Sequence, residues 1–133
     1  DLQYSNANVQ GSVLHCLNKC IQLDSNVATY YFEYAQLTDN KTRIWYLKKA
    51  LQKEENWLYR SHIAAYYSEN KMDEALLEFV NQSINLYEAQ YPNYYFFLAN
   101  LYQAKGDIHK RQNDMGLYNM CRDRVKYYNN LNQ

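Results

Sequence analysis

Apolar side chains recur at intervals of three and four along most of the chain. Val13, Leu14, Leu17, Cys20 and Ile21 form one such series, Ile44, Leu47, Ala50 and Leu51 a second, and Ala75, Leu76, Phe79, Val80 and Ile84 a third. This spacing places the apolar groups on one face of an α-helix, where they have something to bury. Polar clusters interrupt the series at Leu23-Asp24-Ser25-Asn26, Thr38-Asp39-Asn40, Glu54-Glu55-Asn56, Glu69-Asn70-Lys71, Tyr91-Pro92-Asn93 and Lys105-Gly106-Asp107. Six breaks predict seven helices joined by short links.

Candidate caps fall at these breaks. Pro92 suits the first turn of a helix, where its missing N–H costs nothing. Gly106 suits a left-handed helix end, and Asn70 can close a helix in the same way. Asp73 and Glu74 then lie in the first turn of the next helix, at the positive end of its dipole.

The helices also repeat. From Tyr59, offsets of 3, 4, 7, 11 and 16 reach His62, Ile63, Tyr66, Asn70 and Ala75; from Tyr95 the same offsets reach Leu98, Ala99, Tyr102, Gly106 and Arg111. Cys20-Ile21, Ala50-Leu51 and Ser83-Ile84 each set a small residue before an aliphatic one, at intervals of 30 and 33. Repetition of helix pairs at short period predicts an α-solenoid.

The segment Leu98-Ala99-Asn100-Leu101-Tyr102-Gln103-Ala104-Lys105-Gly106-Asp107 resembles the first helix and turn of a tetratricopeptide repeat. Lys71-Met72-Asp73-Glu74-Ala75-Leu76 is similar to the opening of that family's second helix, and Asn18-Lys19-Cys20-Ile21-Gln22-Leu23-Asp24-Ser25-Asn26 to its end. The resemblance implies an all-α, right-handed superhelical array in a single domain over residues 1–133. An orphan second helix (8–23) is followed by helix pairs at 26–53, 56–90 and 92–130. Two residues and one turn depart from the pattern. Arg111 stands where a small residue lets paired helices approach, His62 replaces a Leu-like residue, and the turn near Asn40 is short. An array that opens on a second helix reads as a piece of a longer one, or uses that helix as a cap. The spacing and the tyrosine content resemble long repeat proteins of the cell envelope in Bacteroidetes-like bacteria.

Composition narrows the function. The chain has 133 residues with only 3 Gly and 1 Pro, and 16 of its side chains are Tyr. Its 14 Lys+Arg balance 14 Asp+Glu, so it has no uniform basic field to displace counterions from a nucleic acid. Charge divides locally. Residues 54–90 are acid-rich, whereas residues 105–126 carry Lys105, Lys110, Arg111, Arg122, Arg124 and Lys126 against Asp107, Asp114 and Asp123. Such a division can orient a partner, favour self-association through the array ends, or bring the basic C-terminal helix against an acidic partner. The apolar runs are too short for a bilayer span, so no membrane insertion is expected, and the compartment is left open between the cytoplasm and a bacterial cell envelope or periplasm.

Little points to catalysis. The chain has no Gly-rich phosphate loop, no His-Glu-x-x-His helix and no Gly-x-Ser-x-Gly elbow. His15, His62 and His109 fall on separate helix pairs. Cys16 and Cys20, one helical turn apart beside His15, lack a second ligand pair for a closed metal shell, so buried free thiols are expected of them and of Cys121. Glu54-Glu55 and Asp73-Glu74 read as solvated helix ends. Asn40-Lys41-Thr42 and Asn81-Gln82-Ser83 match the glycan-acceptor pattern, the second in mid-helix. No enzyme activity, cofactor or metal is expected.

The tetratricopeptide resemblance implies that first helices line a concave groove. Carried onto this chain, the groove positions are Thr29, Phe32 and Gln36, then Arg60, Ala64 and Tyr67, then Asn93, Phe96, Asn100 and Gln103. Amides can bond a peptide backbone, and rigid aromatics add apolar area at low entropic cost. The expectation is a scaffold that holds a protein or peptide segment, with a peptide- or ligand-sensing regulatory domain as the alternative.

Overall fold

The computed structural model describes the backbone of residues 2–133 and the side chains of residues 9–133. The chain is all-α, with seven helices among the described residues: α1 (Leu2–Leu23), α2 (Ala28–Gln36), α3 (Asn40–Lys53), α4 (Trp57–Glu69), α5 (Asp73–Gln90), α6 (Tyr95–Arg111) and α7 (Met115–Leu131). It forms two compact units, Asp1–Tyr66 and Tyr67–Gln133, and the division falls within α4.

In the first unit α1 packs on α2 and α2 on α3. Ala28, Tyr31, Ala50 and Tyr59 form its buried cluster, with Ile21, Phe32, Tyr46 and Leu51 packed against them. The small residues at 28 and 50 leave room in the cluster for large rings, among them Phe32 and Tyr59 at 4.9 Å between centroids; Tyr46 also meets Tyr34, at 4.1 Å. α2 has only nine residues. Its abrupt end is held by Arg43, whose Nε and Nη2 donate to the Thr38 carbonyl at 3.1 and 2.9 Å.

In the second unit α6 packs on both α5 and α7. Leu76, Val80, Ser83, Ile84 and Tyr87 of α5 and Phe97, Leu98, Leu101 and Ile108 of α6 are buried, together with Cys121 and Tyr128 of α7. Asp73 and Glu74 occupy the first turn of α5, as the dipole argument requires.

Two links in this unit share one geometry. Lys71 (φ 54°) and Asn113 (φ 60°), 42 residues apart, are each left-handed. In each link the next residue's N–H reaches back five positions, Met72 to the Tyr67 carbonyl and Asp114 to the His109 carbonyl, both at 2.9 Å. This is the hydrogen bonding of a Schellman helix end.

Three local expectations need correction. Gly106 does not end a helix, because α6 runs on to Arg111 and no glycine has positive φ. A Cβ at 106 would sit 3.1 Å from the Cys121 Cβ, so glycine there serves the close approach of α7. Lys71, not Asn70, takes the left-handed position. Pro92 precedes the helix, inside a turn closed by the Tyr94 N–H on the Tyr91 carbonyl at 3.2 Å.

Candidate interaction surface

α6 buries one side of its length and leaves the other open. Phe96, Asn100, Gln103, Asp107 and Lys110 are all exposed, and their spacing of 4, 3, 4 and 3 aligns them on one face. Phe96 is 59% exposed, so its ring offers the stripe an apolar face open to a partner. Gln103 Nε2 donates to Asp107 Oδ1 at 3.0 Å. Asn93 is exposed in the preceding link, where its Oδ1 accepts from the Tyr95 hydroxyl at 3.3 Å.

The other anticipated groove residues have varied surroundings. Thr29 and Gln36 are exposed on α2, whereas Phe32 is half-buried and meets the His62 ring edge-on at 5.0 Å. Arg60 is buried, and its Nη2 bonds Glu55 Oε1 at 2.7 Å, so Glu55 is half of an ion pair rather than a solvated cap. Ala64 is half-buried, and Tyr67 is buried with its ring edge-on to Phe79 at 6.1 Å.

Beside the end of the α6 stripe, two cations meet one ring. Lys110 Nζ lies 5.4 Å from the Tyr118 centroid, and the Arg122 guanidinium carbon lies 5.9 Å from it. Lys110, Arg122 and Lys126 are exposed, and none makes an ion pair with a described carboxylate. Arg111 differs: its Nη2 holds Asp73 Oδ1 at 2.8 Å, which draws the Asp73 carboxyl below its ordinary range. Ending the helix at Gly106 hides Asp107 and Lys110 from the stripe. Continuing the 3–4 spacing past that glycine finds them.

Glu88 gathers a second polar cluster, accepting from the Tyr102 hydroxyl at 3.0 Å and from the Tyr128 hydroxyl. Removal from water, then the Glu88 hydrogen bond, pushes Tyr102 up to about 12 and raises Tyr128 as well. Both rings stack, with centroids 5.9 Å apart. The carboxylate ties α5 to α6 and α7. His109 is buried in the last turn of α6, its Nδ1 without a hydrogen-bond partner.

All three cysteines are free, but only Cys121 is buried; Cys20 is half-buried and Cys16 exposed. The expectation of buried thiols fails at α1 because Val9, Val13, Cys16, Leu17 and Cys20 border an open apolar hollow of about 450 Å³. Among the described residues no group of three or more His, Cys, Asp or Glu could hold a metal, and no described helix is long and apolar enough to cross a membrane. Asn81 is half-buried within α5, and Ser83 is fully buried with its hydroxyl donating to the Phe79 carbonyl at 2.9 Å.

The sequence matches no protein-family model, and no curated protein is significantly similar to it.

Proposed function

We propose that the chain is a non-enzymatic interaction module that holds a segment of a protein partner against the exposed faces of its first helices. The observation that carries this reading is the stripe Phe96, Asn100 and Gln103 on α6, an exposed aromatic beside two amides on a helix whose opposite side is buried. A rigid helix face with an uncovered ring and neutral hydrogen-bonding groups suits a peptide backbone and one apolar anchor. A right-handed array of tetratricopeptide-like pairs belongs to the same proposal, supported by consecutive helices joined by short links among the described residues.

The test replaces Phe96, Asn100 and Gln103 together with Ala. All three are exposed, so the helical circular dichroism and the melting transition should persist. Capture of partners from an extract of the protein's own cells should then fall. Undiminished capture by a folded triple variant would remove α6 from the binding surface.

A further inference from the structure

The α6 stripe ends on cations that form no ion pair among the described residues. Lys110 from α6 and Arg122 from α7 both lie against Tyr118, at 5.4 and 5.9 Å from the ring centroid, so they stand at most about 11 Å from each other. Each cation is drawn to the ring face, which gathers positive charge at this corner, and neither has a carboxylate within ion-pair distance among the described residues. Lys126, one turn beyond Arg122, adds a third exposed cation.

The neighbouring acids are committed elsewhere or set apart. Asp114 caps α7 by accepting the Leu117 N–H at 3.1 Å, and Asp73 is bound to Arg111. Asp107 accepts from Gln103. It lies on the stripe one turn before Lys110, where it repels acidic groups and confines them to the Lys110 end. Asp123 is exposed on α7, one residue from Arg122 and so pointing about 100° around the helix from it.

We propose that this corner of α6 and α7 receives side-chain carboxylates of an acidic stretch in the partner segment, while Phe96 receives an apolar residue of the same segment. The inference rests on the interaction-module reading and adds the partner's chemistry and spacing to it. Phe96 and Lys110 are 14 residues apart, which is about 21 Å along a helix, or roughly six residues of extended chain. The partner signature is therefore one apolar residue and an Asp/Glu cluster about six residues away. Tyr118 is a positioning residue here, because its ring holds both cations in place.

The test uses fluorescence anisotropy with labelled synthetic peptides at low salt. One peptide carries a single Leu and, about six residues on, three Glu; a second has Gln for Glu, and a third brings Leu and Glu to within two residues. The native protein should bind the first peptide about fivefold or more tighter than either of the others, and salt should erase the preference. The Lys110→Gln/Arg122→Gln variant should lose the Glu-over-Gln preference without losing residual binding. Tyr118→Phe should keep the preference, and Tyr118→Leu should reduce it. Phe96→Ala should weaken the Glu and Gln peptides by the same factor.

The acidic-partner proposal is overturned if the Glu and Gln peptides bind alike, if the preference survives in Lys110→Gln/Arg122→Gln, or if neither peptide binds. It is also overturned if the paired cations respond to phosphatidylserine vesicles but not to the Glu peptide. A Phe96→Ala variant that binds normally while the charge variant does not would instead overturn the α6-stripe reading and leave the acidic preference standing.

Discussion

The Cβ that Gly106 lacks would lie 3.1 Å from the Cβ of Cys121. α6 and α7 therefore pack through a glycine on one side and a small buried thiol on the other. A methyl group there restores about 1 kcal/mol of helix propensity but compresses a contact already near its limit. Gly106→Ala should change stability little, whereas Gly106→Leu should lower it by about 1–3 kcal/mol in chemical denaturation. Equal stability of the Leu variant would show that the two helices do not meet here.

The tyrosine pair on Glu88 should govern alkaline stability. A hydroxyl whose folded pKa lies above its unfolded value stabilises the fold fully below the unfolded value, about 10, and loses that contribution as pH rises through the folded one. For Tyr102 the loss runs from about pH 10 to about pH 12. Denaturation midpoints should fall across that window, and Tyr102→Phe should flatten the fall. Parallel slopes in the two proteins would contradict the raised hydroxyl.

At the acid end Arg111 acts on Asp73. A depressed carboxyl stabilises the fold above its unfolded pKa, and the contribution disappears as pH drops through the lower folded value. Arg111→Gln removes this partner while leaving Asp73 in the first turn of α5. The acid limb of the stability curve, below about pH 4, should become shallower, and added salt should shrink the difference. An unchanged acid limb would count against the pair.

Arg60 is only 8% exposed and carries Glu55 on its guanidinium. Glu55→Ala should destabilise the fold by about 2 kcal/mol, because a buried cation loses its charge-assisted bonds. Equilibrium unfolding reads this directly, and a cost near zero would place Arg60 in water.

Much of the fold was legible in the sequence because it lies in the period of the apolar residues. Five of the six polar breaks mark links between helices, the sixth, Lys105-Gly106-Asp107, lies inside α6, and the short turn near Asn40 corresponds to the nine-residue α2. Gly106 misled because glycine serves two purposes that look alike in one sequence, ending a helix or admitting a neighbouring one. Its partner, Cys121, is 15 residues away and reveals the second purpose only once α7 is in place. Arg111 had the same ambiguity. As a departure from a small-residue position it signals poor packing, whereas at the end of α6 it closes an ion pair with Asp73. The tetratricopeptide resemblance marks Phe96, Asn100 and Gln103 as groove positions and these are exposed, but it marks Arg60 and Tyr67 in the same way and both are buried, because such positions are carried over without knowing what packs on each helix. The candidate surface was not legible at Tyr118, whose role depends on Lys110 and Arg122 meeting one ring across two helices.

The central claim is that partners meet the exposed face of α6. A photo-crosslinking amino acid placed at position 96, with a second protein carrying it at Met120 on the exposed side of α7, tests this most directly. The account predicts partner crosslinks from position 96 and none from position 120 after irradiation in an extract of the protein's own cells. Crosslinks from position 120 alone, or from neither position while the partner is still captured, would contradict it.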